Sequence, residues 1–282
     1  AAFPVRASHP ALRPSPGLRP LPRGGQHFGG AATPPRARAR AGGGRGAGGL
    51  DLGAGGGALT VHLLEEAARV VCVEVDRHLC ALLQAEYGDR PAFDLIEGDL
   101  AKLDWTAAVA AAGPKPVIAG NLPYVLTSKV LFAAADLRTE TAGAVFMVQK
   151  EVAERLVASP GGKDSGILAV VLGSRFEIDV VRTVPPNVFW PKPEVDSAVV
   201  RLAPGPRWDQ DEYEDFQTTV RTVFGLRRKK LRTILRSRFG MDDDAVTALA
   251  ASAGVDVACR PEQIEPAGYR RLAAALRGEG DR

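Results

Sequence analysis

Cysteine and histidine are scarce in this chain, and acidic residues are missing from its first stretch altogether. Its 282 residues include three cysteines and four histidines. Cys72, Cys80 and Cys259 are odd in number and lack metal-type spacing, so neither a disulfide framework nor a structural zinc is expected, and a reducing cytoplasm fits. His9, His27, His62 and His78 make no ligand pair at helical spacing, and no metal site is expected. No apolar run approaches the length of a membrane span, so no bilayer crossing is expected either.

Residues 1–50 hold eight arginines and no lysine, aspartate or glutamate. The formal charge of +3 therefore misleads: beyond that stretch 28 basic residues face 33 acidic ones, a net −5. A case for nucleic-acid binding must rest on local clusters. Ala, Gly, Pro and Arg dominate the opening segment, without a sustained helical or strand period. Two origins stay open for it. One is an organelle transit peptide, although serine is sparse and the amphipathic pattern weak. The other is an out-of-frame reading of GC-rich DNA, which encodes these four residues in almost any frame. The remaining length suits one large α/β domain and a smaller one, divided here as an irregular segment 1–49, a unit 50–204 and a helical unit 205–282.

From Leu50 the pattern becomes orderly. Leu50 to Thr60 reads as a strand end, a glycine turn at Gly53, Gly55 and Gly57, and a helix through Glu66. Glycines let backbone approach a ligand closely. Taken alone the turn satisfies the dinucleotide fingerprint of a dehydrogenase equally well. Val70 to Asp76 is a buried-type strand ending in acids. Glu74 can accept from both hydroxyls of a ribose, and Asp76 suits the cap of a helix Arg77–Tyr87. Phe93 to Leu100 gives a third strand with Asp99 at its tip.

Pro116 to Ala119 is a fourth strand, followed by Asn121-Leu122-Pro123-Tyr124 and a helix for which Thr127 or Ser128 would be the N-cap. Ligands bind at the carboxyl ends of strands in open α/β sheets. Pro123 stiffens the turn. An Asn amide oxygen and a main-chain carbonyl can together accept both hydrogens of an exocyclic amine, while the tyrosine ring stacks on the base that carries it. The plainer alternative is a strand-to-helix turn whose Asn caps the helix and whose Tyr is core. Ala142–Val148 is a fifth strand, and helices are expected through Leu156 and over 167–173. Strands 176–184 and 197–202 would form an antiparallel pair closing the sheet. The Pro-rich loop 185–197 between them, with Phe189 and Trp190, is a poor candidate for core.

Past Pro204 a helix is expected over Trp208–Phe224, another over Phe224–Leu235, and two more over Asp243–Ala253 and Pro266–Leu276. Arg221, Arg227, Arg228, Lys229, Lys230, Arg232, Arg236 and Arg238 follow one another without an acid. Such a run is either a solvated face or a surface for a polyanion; mutual repulsion favours the latter, as contacts that position RNA.

Asn121-Leu122-Pro123-Tyr124, the acid-tipped strands and the basic helix together resemble the small-subunit ribosomal RNA adenine dimethyltransferases (the KsgA/RsmA family), from about Leu50 onward. Asp51 completes the Asp-x-Gly-x-Gly-x-Gly form of methyltransferases. Phe189 to Ser197 is similar to the family's Phe-x-Pro-x-Pro-x-Val-Asp-Ser motif. Gly25-Gln26-His27-Phe28 looks like its Gly-Gln-Asn-Phe-Leu signature, with His for Asn and Gly29 for Leu. The resemblance implies a Rossmann-like class I methyltransferase sheet, mostly parallel and seven-stranded, with a small all-α C-terminal domain. It implies S-adenosylmethionine as cofactor, held by Gln26, His27, Asp51, Gly53, Gly55, Gly57, Glu74, Asp99, Leu100 and Asn121. It implies N6-dimethylation of adenosines near the 3′ end of small-subunit rRNA, with Asn121, Leu122, Pro123 and Tyr124 as clamp and Phe189 as the second wall of a base slot. Arg221, Arg227, Arg228, Lys229, Lys230 and Arg232 would contact RNA of the 30S particle, and a cytoplasmic monomer is expected. A 23S-type adenine methyltransferase of the macrolide-resistance kind, a ribosome-assembly factor with impaired catalysis, and a nicotinamide dehydrogenase are the alternatives.

Overall fold

The computed structural model describes residues 27–28, 46–158, 166–190, 192–205 and 210–280. The expectations for residues 1–26 and 29–45, Gln26 among them, and for Trp208 lie outside these residues.

Short stretches buried on both faces make the parallel centre of one sheet. They are β2 (Gly49–Leu52), β3 (Val70–Glu74), β5 (Val117–Asn121) and β6 (Gly143–Gln149). β4 (Phe93–Glu97) pairs with β3. β7 (Phe176–Val184) and β9 (Ser197–Pro204) form the expected antiparallel pair, with β9 against β6. The order is β4-β3-β2-β5-β6-β9-β7, seven strands and mostly parallel. Crossovers are α1 (Thr60–Glu66), α2 (Arg77–Tyr87), α3 (Trp105–Ala111), α4 (Thr127–Asp136), α5 (Lys150–Leu156) and α6 (Ile167–Arg175). Two two-residue strands stand apart: β1 (His27–Phe28) pairs antiparallel with β8 (Phe189–Trp190).

α2 begins where its cap dictates. The Asp76 carboxylate accepts from the amides of His78 at 2.8 Å and Leu79 at 3.4 Å, satisfying two donors that the first turn leaves open. The start of α4 differs from expectation. Neither Thr127 nor Ser128 caps it; a 3₁₀ turn, Tyr124–Leu126, intervenes, and the Thr127 hydroxyl donates back to the Pro123 carbonyl at 3.4 Å. Pro123, at φ −57° and ψ 129°, stays out of the helical region, so the chain must bend once more before α4 can start.

The C-terminal region is helical: α7 (Gln210–Phe224), α8 (Leu231–Phe239), α9 (Asp243–Ala253) and α10 (Pro266–Gly280). The continuous helix expected over Phe224–Leu235 is broken by a turn at 225–230. The amides of Leu231 and Arg232, which open α8, find partners elsewhere, on the carbonyls of Cys259 at 2.9 Å and Val257 at 3.0 Å.

One apolar cluster runs from Leu50, Ile118 and Phe146 in the sheet, through Val171 and Leu172 of α6, to Phe216, Val220 and Leu235. Sheet and C-terminal helices thus share a core. A buried polar group sits at their joint. Arg175, 1% exposed, lays its guanidinium 3.9 Å from the ring centre of Tyr213 and donates to the Ala135 carbonyl at 3.3 Å. Tyr213 donates to Asp136 at 3.4 Å, and Arg138 ties the carbonyls of Arg175 and Gly205 at 3.1 and 3.0 Å. Stacking of a desolvated guanidinium on an aromatic face contributes substantially, and its truncation leaves a void as well. Arg175→Ala is expected to cost about 2–4 kcal/mol, measured by urea denaturation followed by circular dichroism, with a single transition retained because the core is common to both parts.

Candidate active site

The carboxyl ends of β2, β3, β4 and β5 lie side by side, and the residues singled out in the sequence collect there. β2 passes into the glycine turn, where Gly53 and Gly57 adopt φ of +68° and +82°, a region L side chains rarely enter. At Gly57 a Cβ would also lie 2.8 Å from the Tyr87 ring. At Gly53 it would lie 3.8 Å from the Asn121 carbonyl oxygen and 3.9 Å from Pro123 Cδ. The glycine turn and the Asn121–Pro123 turn therefore lie side by side, at the ends of the paired strands β2 and β5.

Glu74 binds this edge together. It is 7% exposed, and its carboxylate accepts from three backbone amides: Gly55 at 2.8 Å on one oxygen, Val75 at 2.8 Å and Asp76 at 3.0 Å on the other. Its own carbonyl accepts from Gly98 at 2.8 Å, which fastens the loop after β4. In that loop Asp99 accepts from the Ala101 amide at 2.7 Å, while Leu100 is buried in the core. A carboxylate offers roughly four acceptor positions. Three of those on Glu74 serve the fold here.

Asp51 is 1% exposed and accepts from the Thr60 hydroxyl at 2.7 Å on one oxygen; the other oxygen has no partner among the described residues. Burial, with Glu74 nearby and opposed by the Thr60 hydrogen bond, pushes its carboxyl up from 3.8 to about 7. The sequence reading did not single out Thr60. Its only signal was a hydroxyl in the first helical turn after the glycines. Cys72 Sγ lies 3.5 Å from the same hydroxyl, and burial drives that thiol upward.

Asn121 ends β5. Alternation along the strand puts it on the face of Val117 and Ala119, opposite the face of Ile118. The Leu122 side chain is buried, and its amide donates to the Met147 carbonyl at 3.2 Å. Tyr124 and Ser197 hydroxyls meet at 3.2 Å, which joins this turn to the end of the Pro-rich loop. That loop is not the surface feature its prolines suggested. Phe189, in β8, is 5% exposed and packs in an apolar cluster with Val117, Val145, Met147, Val184 and Val199. Val117 shares its face of the sheet with Asn121. β8 of this loop also pairs with β1, a partner far away in sequence.

The basic run is also altered by its surroundings. Asp243 of α9 pairs with Arg232 at 2.9 Å and Arg236 at 3.4 Å, and Glu262 pairs with Arg227 at 3.8 Å. Arg221 lies 6.0 Å from the ring centre of Phe132 on α4. The expectation that the charges repel without a polyanion holds less well for these four positions. Arg228, Lys229 and Lys230 are exposed, with no ion pair among the described residues.

Among the described residues no group of His, Cys, Asp and Glu could hold a metal ion, and no helix is long and apolar enough to cross a membrane. Residues 48–272 match the family described as Ribosomal RNA adenine dimethylase. The chain is 43% identical over 235 residues to Ribosomal RNA small subunit methyltransferase A of Anaeromyxobacter dehalogenans (strain 2CP-C), covering 80% of this chain and 82% of that one. It is 35% identical to the protein of that name in Geobacter sulfurreducens, covering 82% and 85%. Among solved structures, a dimethyladenosine transferase from Plasmodium falciparum superposes with TM-score 0.65 at 23% identity, over 82% of this chain and 90% of that one. The 23S rRNA methyltransferase ErmE gives 0.64 at 22%, over 86% and 96%. At these identities the superpositions establish a shared fold.

The Asp51 shift gives stability a sign that can be checked. The folded state holds this proton more tightly than the unfolded chain, so the contribution is full below about pH 4 and is lost as pH rises to about 7. The slope is about 1.4 kcal/mol per pH unit. In Asp51→Asn that decline is expected to vanish, which equilibrium denaturation at pH 5 and pH 8 will measure against wild type.

Proposed function

The chain belongs to the ribosomal RNA adenine dimethylase family, and on that premise we propose that it methylates adenine N6 of small-subunit rRNA from S-adenosylmethionine. The observation that carries the reading is the juxtaposition of the glycine turn at Gly53 and the Asn121–Pro123 turn at the ends of paired β2 and β5. It brings a cradle for a charged amino-acid ligand against a clamp for an amine. Glycines in left-handed conformation and the unpartnered buried oxygen of Asp51 fit the cationic amino-acid end of such a cofactor. Glu74 would take the ribose and Asp99 and Leu100 the adenine, with His27 helping to cover it and Asn121 bordering it chiefly as the clamp for the amine. Bound there, S-adenosylmethionine supplies an electrophilic methyl group on a sulfonium sulfur.

The protein's own task is to make a poor nucleophile competent. The N6 lone pair of adenine is delocalised into the ring until its two hydrogens are held. The Asn121 amide oxygen would accept one. The second acceptor is the carbonyl of Leu122, because the Pro123 carbonyl already accepts from the Leu126 amide at 2.9 Å and from the Thr127 hydroxyl. Tyr124 and Phe189 would hold the base, which must leave its stack to arrive. Phe189 packs on the face that Asn121 occupies, which supports a wall there. After transfer the extra proton on nitrogen leaves to water.

The division at residue 205 belongs to the same reading. Residues 50–204 carry the chemistry and 205–282 carry RNA contacts, chiefly Arg228, Lys229 and Lys230, with Arg221, Arg227 and Arg232 sharing their charge with neighbours. The substrate is the 30S particle, and the protein acts as a cytoplasmic monomer.

Asn121→Ala is expected to lower methyl incorporation into unmethylated 30S particles at least about a hundredfold while cofactor affinity, measured by calorimetry, changes little. Equal activity in the variant overturns the clamp. Replacing Arg228, Lys229 and Lys230 together by alanine should reduce the salt slope of rRNA binding by about 2, read from a titration series in salt, with kcat nearly unchanged.

A further inference from the structure

Val125 is 92% exposed. An exposed valine is commonplace on a protein surface; its placement distinguishes this one. It occupies the centre of the 3₁₀ turn Tyr124–Leu126, one residue beyond the clamp. The turn cannot fold it away. Leu126 donates its amide to the Pro123 carbonyl at 2.9 Å, Tyr124 is tied to Ser197 at 3.2 Å, and the Leu122 amide is held by Met147 at 3.2 Å. Pro123 fixes φ at −57° on the entering side. The fold thus holds an apolar, β-branched side chain out in water at the rim of the site. It contributes nothing to the core from there, and a polar residue would serve the turn equally well.

We propose that Val125 is a positioning residue for the RNA, a wedge that lies against the base step vacated by the target adenosine. The inference rests on the function proposed above, and it adds what that function leaves open. An adenine entering a pocket lined by Asn121 and Tyr124 leaves a gap in its own stack. Unstacked bases expose apolar faces, and enzymes that extrude a base or kink a duplex commonly insert an apolar side chain there. A rigid turn suits this better than a mobile loop, since no ordering is lost when the RNA arrives. Val125 adjoins Tyr124 in sequence, so wedge and stacking ring would act on adjacent nucleotides. No bond is made or broken in this step; its effect is on the equilibrium between stacked and extruded base.

The test uses the full chain, S-adenosylmethionine and two unmethylated 30S particles, reconstituted around rRNAs that differ only in the hairpin carrying the target adenosine near the 3′ end. In one hairpin the target is stacked; in the other an abasic site replaces its 3′ neighbour, so the stack is already broken. Val125→Ala and Val125→Asp are compared with wild type. The side chain is exposed, so the midpoint of thermal unfolding and cofactor affinity are expected to stay unchanged. On the stacked hairpin kcat/KM should fall about fivefold for Val125→Ala and more for Val125→Asp, whereas on the abasic hairpin each variant should come within about twofold of wild type. Val125→Leu should restore the rate on the stacked hairpin. Equal activity of all variants on the stacked hairpin overturns the wedge, and so does an equal loss on both RNAs, which would mark general repulsion or damage. If wild type binds the cofactor yet methylates neither particle, the proposed function itself fails, and the two failures are told apart.

Discussion

Three backbone amides converge on the carboxylate of Glu74, and the arrangement of the site follows from that convergence. One amide belongs to the glycine turn after β2, and two belong to the exit of β3. The Glu74 carbonyl holds the loop after β4 as well. Three strand ends are therefore fastened by one residue. Charge-assisted bonds of this kind are stronger than neutral ones, and little water competes at 7% exposure. The glycine turn held there lies beside Asn121 and Pro123. The acid read from the sequence as a ligand for ribose is also a structural brace for the loop it borders.

Much of the sheet was legible because its signals are local. Short apolar stretches ended by acids or glycines marked β2, β3, β4 and β5, and Asp76 marked the first turn of α2 to the residue. What escaped the reading depends on partners remote in sequence. Phe189 looked exposed because prolines surround it, yet it is buried among valines on β5, β6, β7 and β9. The basic run looked unopposed because its counter-ions, Asp243 and Glu262, come from later elements. The break at 225–230 follows from carbonyls at 257 and 259 that take the opening amides of α8. The turn at Tyr124–Leu126 was hidden for a different reason. Thr127 and Ser128 are good capping residues, but Pro123 leaves a carbonyl that Thr127 satisfies from inside the helix.

Family membership and geometry answer different questions. Relatives at 35–43% identity fix what class of reaction belongs to this chain. They say nothing of why Asn121 stands at a strand end with Leu122 buried beneath it, or why Pro123 cannot offer its carbonyl. Those follow from hydrogen bonds already committed within the turn. The same local accounting separates Arg228, Lys229 and Lys230 from cations that already share their charge.

The core common to the sheet and the C-terminal helices has a mechanical consequence. With Phe216, Val220 and Leu235 packed into the cluster of Leu50 and Phe146, and Arg175 stacked on Tyr213, the described part of the C-terminal region is packed directly on the sheet that carries the Asn121 turn. The span between that turn and the cationic turn is set by folding, as in a gauge with fixed jaws. If the cationic turn and the Asn121 turn both meet RNA, as proposed, an RNA is engaged at both ends only when its own three-dimensional form matches that span. Selection among transcripts then becomes a measurement of distance and shape, made before any base is inspected.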